Sequence, residues 1–169
     1  RAGYYVEPLT RAEIVYVFGG GHVSAELVPL LAHVGFSVAV YEDRAEFGNA
    51  ERFPDAVRII RAPFEEAGTR ISITPDDAVV IMTRGHQGDF VVLEQMRRTQ
   101  AGYIGVIGSR HKIAATNRRL MEAGIPEAAL GRIHTPIGLD IGAETPAEIA
   151  ISIAAELIAH RAQSLKEAL

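Results

Sequence analysis

The sequence predicts an α/β domain: an open, doubly wound parallel sheet with helices on both faces, three layers in all. Three observations carry this. Short apolar runs alternate with longer helix-like segments through most of the 169 residues, the order that βαβ units produce. The runs are apolar almost throughout instead of alternating with polar residues, as in strands covered on both faces. A glycine turn, Gly19-Gly20-Gly21, stands between the first run and the first helix, the place where such sheets bind phosphate-bearing ligands.

Residues 1–10, with Tyr4, Tyr5 and Pro8, read as an arm or linker, and residues 11–169 as one domain. Strands are expected over Ile14–Phe18, Ser37–Tyr41, Val57–Ile60, Ala78–Met82 and Tyr103–Ile107. Helices are expected over His22–Val34, Phe90–Arg98, Lys112–Ala123 and about Pro146–Ala162. In the first helix Val23, Leu27, Leu30 and Val34 are spaced for one buried face, and Pro29 should kink it by removing a backbone bond. In the last, Ile149, Ile153 and Leu157 form the stripe, Thr145 is the N-cap, and Glu148 three residues on completes a capping box around Pro146.

Composition narrows the function classes. Apolar residues make up 48% and charged residues 22%, enough for a packed core and too little charge for a disordered chain. A net charge of −4 argues against a nucleic-acid partner, which calls for a basic surface. No apolar run reaches the ~18–20 residues that span a bilayer, and no signal peptide is visible, so a cytoplasmic place with no membrane partner is expected. With no cysteine, disulfides and thiolate metal sites are excluded within the chain. The 6 histidines lack metal-binding spacing. The chain begins at Arg1 instead of Met, which reads as a piece of something longer.

Candidate contacts gather at the ends of the strands. Gly19-Gly20-Gly21-His22-Val23-Ser24 fits G-x-G-x-x-(small). Gly19 would permit the tight turn, Gly21 would let a phosphate approach the backbone, and Ser24 keeps helix and strand close. The helix start supplies free N–H groups and a positive dipole end. The competing reading is a turn kept only for packing. His22 faces the ligand or simply starts the helix. Glu42-Asp43-Arg44 ends the second strand about 20 residues past the glycines, where an acid commonly holds a ribose hydroxyl. Arg44 would meet a phosphate or a flat ring; the alternative is a solvated turn of mixed charge. The loop Met82–Asp89 adds Thr83 and His86. Gly108-Ser109-Arg110 would form a second turn into a helix, with Ser109 as its cap and Arg110 as a fixed charge. Asp140, between Gly138 and Gly142, either locks its own loop or meets a ligand. No nucleophile elbow, Walker motif or carboxylate pair stands in the sequence, so no catalytic residue and no metal ligand is assigned.

Several segments together resemble the C-terminal Rossmann-type domain of the XdhC/CoxI family, the xanthine dehydrogenase accessory proteins. They are Phe18-Gly19-Gly20-Gly21-His22-Val23, Glu42-Asp43-Arg44 with Arg52-Phe53-Pro54, Met82-Thr83-Arg84-Gly85-His86, Ile104–Arg110, and His134–Ala143. The likeness spans roughly residues 5–162 and does not take in the family's cysteine-bearing N-terminal domain; Arg84 stands where the family's loop commonly has another histidine. The resemblance implies a chaperone in purine metabolism that binds the molybdenum cofactor, as molybdopterin or its dinucleotide form. Such a protein protects the cofactor during sulfuration and inserts it into a xanthine dehydrogenase-type apoenzyme. It implies that apoenzyme and a cysteine desulfurase as partners, and a homodimer. The alternatives are an NAD(P)-dependent oxidoreductase and a nucleotide-sensing regulatory module, so NAD(P) is a further candidate ligand.

Overall fold

The computed structural model describes residues 13–108 and 110–167. The expected arm over residues 1–10 and Ser109 lie outside the described residues, as do the side chains of His86 and Arg110.

Six strands form one parallel sheet: β1 (Ile14–Phe18), β2 (Ser37–Glu42), β3 (Arg58–Arg61), β4 (Ala78–Ile81), β5 (Tyr103–Val106) and β6 (Ile133–His134). Their spatial order is β3-β2-β1-β4-β5-β6. The helices are α1 (His22–His33), α2 (Ala67–Arg70), α3 (His86–Met96), α4 (Arg110–Glu122), α5 (Glu127–Leu130) and α6 (Pro146–Glu167). The chain moves outward from β1 to β3, then returns to β4 on the other side of β1. That reversal is the switch point, where the loops after β1 and β4 diverge and leave a crevice. Phe18 at the end of β1 pairs with Tyr41 and with Ile81, so these strand ends lie side by side.

Side chains alternate across the sheet because successive residues of a strand point to opposite faces. Val15 and Val17 pack with Leu27 and Leu31 of α1 and Ile153 and Leu157 of α6. Tyr16 and Phe18 pack with Val92, Leu93 and Met96 of α3 and Leu120 of α4. The expected doubly wound, Rossmann-like architecture is therefore what the chain adopts.

Several boundaries differ from expectation. The buried residues of α1 are Ser24, Leu27, Val28 and Leu31, one position off the expected stripe. The helix packs against the sheet and α6 at once, which turns Val34 outward. It runs on through Pro29, which is exposed. Helix α3 starts at His86, four residues before the expected Phe90, because the polar Gly85–Asp89 stretch reads as loop. Strand β3 starts one residue late, leaving Val57 64% exposed. Strand β6, α2 and α5 have no expected counterpart; each is too short to show a period. Helix α6 continues five residues beyond Ala162.

The capping box forms as expected. The Glu148 N–H donates to Thr145 Oγ1 at 3.2 Å, and the Thr145 and Glu144 N–H groups both donate to Glu148 Oε2 at 2.9 Å. Among the described residues no helix is long and apolar enough to cross a membrane.

Candidate functional site

The glycine turn is shaped by what crowds it. Gly19 has φ +102, and a Cβ there would lie 2.2 Å from the Met82 carbonyl oxygen. A Cβ on Gly20 would lie 2.2 Å from the Phe47 carbonyl oxygen. A Cβ on Gly21 would meet nothing within 4 Å. Gly21 is the N-cap of α1, and no side chain caps that helix. The first two glycines are thus demanded by packing, while the third borders open space beside free N–H donors. Ser24 is buried, and its hydroxyl donates to the Gly19 carbonyl at 2.6 Å. Its small size and its hydrogen bond both hold the turn.

Gly20 is pinned at both ends of its backbone. Its N–H donates to Glu42 Oε2 at 2.6 Å, and its carbonyl accepts from Arg52 Nε at 2.8 Å. Glu42 is 1% exposed. Arg44 holds it as a fork, Nε to Oε1 at 2.9 Å and Nη2 to Oε2 at 3.2 Å, and the Arg44 guanidinium lies 4.0 Å over the Phe47 ring. Burial pushes the Glu42 carboxyl up, but hydrogen bonding with the Arg44 and Asp43 side chains and with the Gly20 and Arg44 N–H groups outweighs it and holds the group at about 2. Asp43 is more exposed, with its Oδ1 3.7 Å from Arg44 Nε. Its carboxyl is pushed up, first by the adjoining Glu42 and then by burial. In this arrangement Glu42 braces the turn instead of facing a ligand, and a ribose hydroxyl would reach it only by displacing Arg44.

The segment 43–57 joins β2 to β3 without a helix and lies over the turn as a strap. Between strap and sheet is a cleft of about 280 Å³, lined by Gly19–Gly21, Arg44, Phe47 and the Met82–Arg84 segment. A smaller cleft of about 180 Å³ adjoins it, sharing Arg44 and Arg84 and reaching Asp43. Thr83 lines the larger cleft, but its N–H and hydroxyl donate to Asp89 Oδ1 at 2.9 and 2.7 Å, which ties the β4 end to α3.

The structure therefore gathers Gly19, Gly20, Gly21, Asp43, Arg44 and Thr83 around the switch point. His22 is exposed at the start of α1, and Val23 packs partly on the core. His86 opens α3 and Arg110 opens α4 by their backbones. Gly108 and Asp140 belong elsewhere. They line a separate cavity of about 640 Å³ beyond the ends of β5 and β6. Arg52, Phe47 and Arg84 are additions that sequence reasoning did not place in the site. Arg52 had a signal in the Arg52-Phe53-Pro54 segment; Phe47 had none.

A parallel sheet with a glycine turn, an uncapped first helix and a cleft at its switch point defines a Rossmann-type binding domain. The XdhC Rossmann-domain family model matches residues 15–157, and the chain belongs to that family. It is 33% identical over 156 residues to a probable xanthine dehydrogenase subunit of Bacillus subtilis, covering 92% of this chain and 44% of that protein. The uncharacterized protein YqeB of Escherichia coli is 36% identical over 143 residues, 84% of this chain and 26% of its own. A crystal structure named as a xanthine dehydrogenase from Bacillus halodurans superposes with a TM-score of 0.79 at 34% identity, over 90% of this chain and 43% of that one. The chain thus spans less than half the length of these relatives. The chuY protein of E. coli, at 16% identity and a TM-score of 0.50 over 86% of this chain and 90% of its own, shares the fold alone.

Proposed function

We propose that this domain serves an accessory protein of xanthine dehydrogenase-type molybdenum hydroxylases and takes the molybdenum cofactor as cargo, seating its phosphate on the Gly19–Gly21 turn. The observation that carries this is Gly21: an N-cap without a side chain, bordering open space in front of unpaired N–H donors. Such a helix end favours an anion by direct hydrogen bonds and by its dipole. Arg84 lines the same cleft and adds positive charge, while Arg44, forked to Glu42 and stacked on Phe47, lines it beside the turn. Membership of the XdhC family and the xanthine dehydrogenase names of two relatives support the choice of client. In this reading the domain shields the cofactor during sulfuration, in contact with a cysteine desulfurase, and passes it to the apoenzyme.

The second reading, a nicotinamide dinucleotide site, draws on the G-x-G-x-x-(small) turn. It is weakened by Glu42, whose oxygens are committed to Gly20 and Arg44. Calorimetric titration with molybdenum cofactor, NAD and NADP separates the two. Cofactor binding with no nicotinamide signal is expected; nicotinamide binding without cofactor affinity would overturn the proposal.

A further inference from the structure

The cavity beyond β5 and β6 is more than twice the volume of the cleft at the glycine turn, about 640 against about 280 Å³. It falls within the range of ~300–1,000 Å³ typical of small-molecule sites. Its wall is the segment 136–143, and that wall is braced. The Ile137 N–H donates to the Val106 carbonyl at 3.1 Å, and the Leu139 N–H to the Ser152 carbonyl at 3.2 Å. The Ser152 hydroxyl donates back to the Leu139 carbonyl at 2.6 Å. Gly138 has φ +95, and a Cβ there would lie 2.3 Å from Ser152 Oγ. The loop is therefore held against β5 and α6 before any ligand arrives, the condition for a pre-formed site.

The lining is mostly aliphatic: Ile107, Ile137, Leu139, Ile141 and Ile149. Leu139 and Ile141 remain 44% and 55% exposed, apolar surface with no cover among the described residues. Among them stands one carboxylate, Asp140. Among the described residues no hydrogen bond or ion pair occupies it. Aliphatic walls with one acceptor-only group suit an apolar-faced heterocycle that packs by its faces and donates from one edge.

We infer that this cavity binds a 2-amino-4-oxopyrimidine ring, with Asp140 accepting its ring N–H and exocyclic amino group together. Those two donors run parallel, so one carboxylate meets both, as it meets the fork of a guanidinium. Pterins and guanine share that edge. Adenine does not: its pairing edge offers one donor and one acceptor, and the acceptor would face the carboxylate. The inference deepens the cofactor reading by placing the ring apart from the phosphate, and it rests on that reading only for a pterin as the biological source.

The test uses phosphate-free probes, so that the two readings fail separately. Pterin is titrated by its fluorescence into the chain, with guanosine and adenosine as competitors, against the Asp140→Asn and Gly21→Val variants. Asp140 is exposed and has no partner among the described residues, so its replacement is expected to leave the fold intact. The expected result is that Asp140→Asn weakens pterin binding about tenfold or more, because one of two paired donors then faces an amide N–H₂. Gly21→Val should bind pterin like the parent, and adenosine should not compete. A pterin preference over guanosine names the pterin as the source; the reverse names a guanine nucleoside. Equal pterin affinity in Asp140→Asn, equal competition by adenosine, or no pterin binding to the folded parent would overturn the inference. Failure of the molybdenum cofactor to bind, alongside Asp140-dependent pterin binding, would sink the functional reading and leave this one standing.

Discussion

Helices α1 and α6 lie side by side on one face of the sheet, yet their N-termini are finished in opposite ways. At α6, Thr145 and Glu148 exchange hydrogen bonds, and Glu144 adds a third N–H to the same carboxylate. At α1 the N-cap is Gly21, with no side-chain bond at all. A capping Ser, Thr or Asp is worth about 1 kcal/mol, so a chain selected only for stability would close both ends. One helix end is sealed from within, and the other, at the switch point, keeps its donors for something outside the chain. The contrast separates the residues that build the turn from the residue that serves a ligand.

The largest way to break that contrast is at the turn's packed side. Gly19→Ala places a Cβ against the Met82 carbonyl at a φ of +102, and should cost about 3 kcal/mol or more in denaturant unfolding. A loss below about 1 kcal/mol would mean that the turn is not held as described.

Next comes the brace beneath it. The Glu42 carboxyl is depressed in the folded chain, from 4.5 to about 2. Its contribution is therefore fully present above pH 4.5 and is lost as pH falls through that interval toward 2. Glu42→Gln should destabilise the folded chain by about 2 kcal/mol at neutral pH, the scale of lost hydrogen bonds to a charged group, and flatten that part of the stability profile. Thermal unfolding followed from pH 7 down to 2 checks both, and an unchanged acid profile in the variant would contradict the assignment. Thr145→Ala should cost about 1 kcal/mol and leave ligand affinity untouched. The smallest stability effect is expected at Gly21→Val, at most about 1 kcal/mol, because its new side chain enters open space.

The parts that the sequence made legible, and those it hid, follow physical lines. Strands β1, β2, β4 and β5 are apolar runs buried on both faces, and such runs declare themselves. Strand β6 has only two residues, too few for any period. Thr145-Pro146-Ala147-Glu148 announces a helix start because its capping chemistry is local. Glu42 is harder, because an acid at the end of β2 looks the same whether it holds a ribose or props the turn. Only the fork from Arg44 and the bond from Gly20 distinguish the two. Arg52 reaches the Gly20 carbonyl, and Phe47 the cleft, through the helix-free connection 43–57, whose path no spacing rule predicts. Asp140 reads in sequence as one more strand-end contact, whereas the strand order carries it to the far side of β4 and into its own cavity.

The most direct test of the central claim is titration of the molybdenum cofactor into the parent chain, Gly21→Val and Thr145→Ala. Gly21→Val is expected to lose affinity about tenfold or more while remaining folded, because phosphate hydrogen bonds are blocked, and Thr145→Ala to bind like the parent. Parent-like affinity in a folded Gly21→Val variant would contradict the claim.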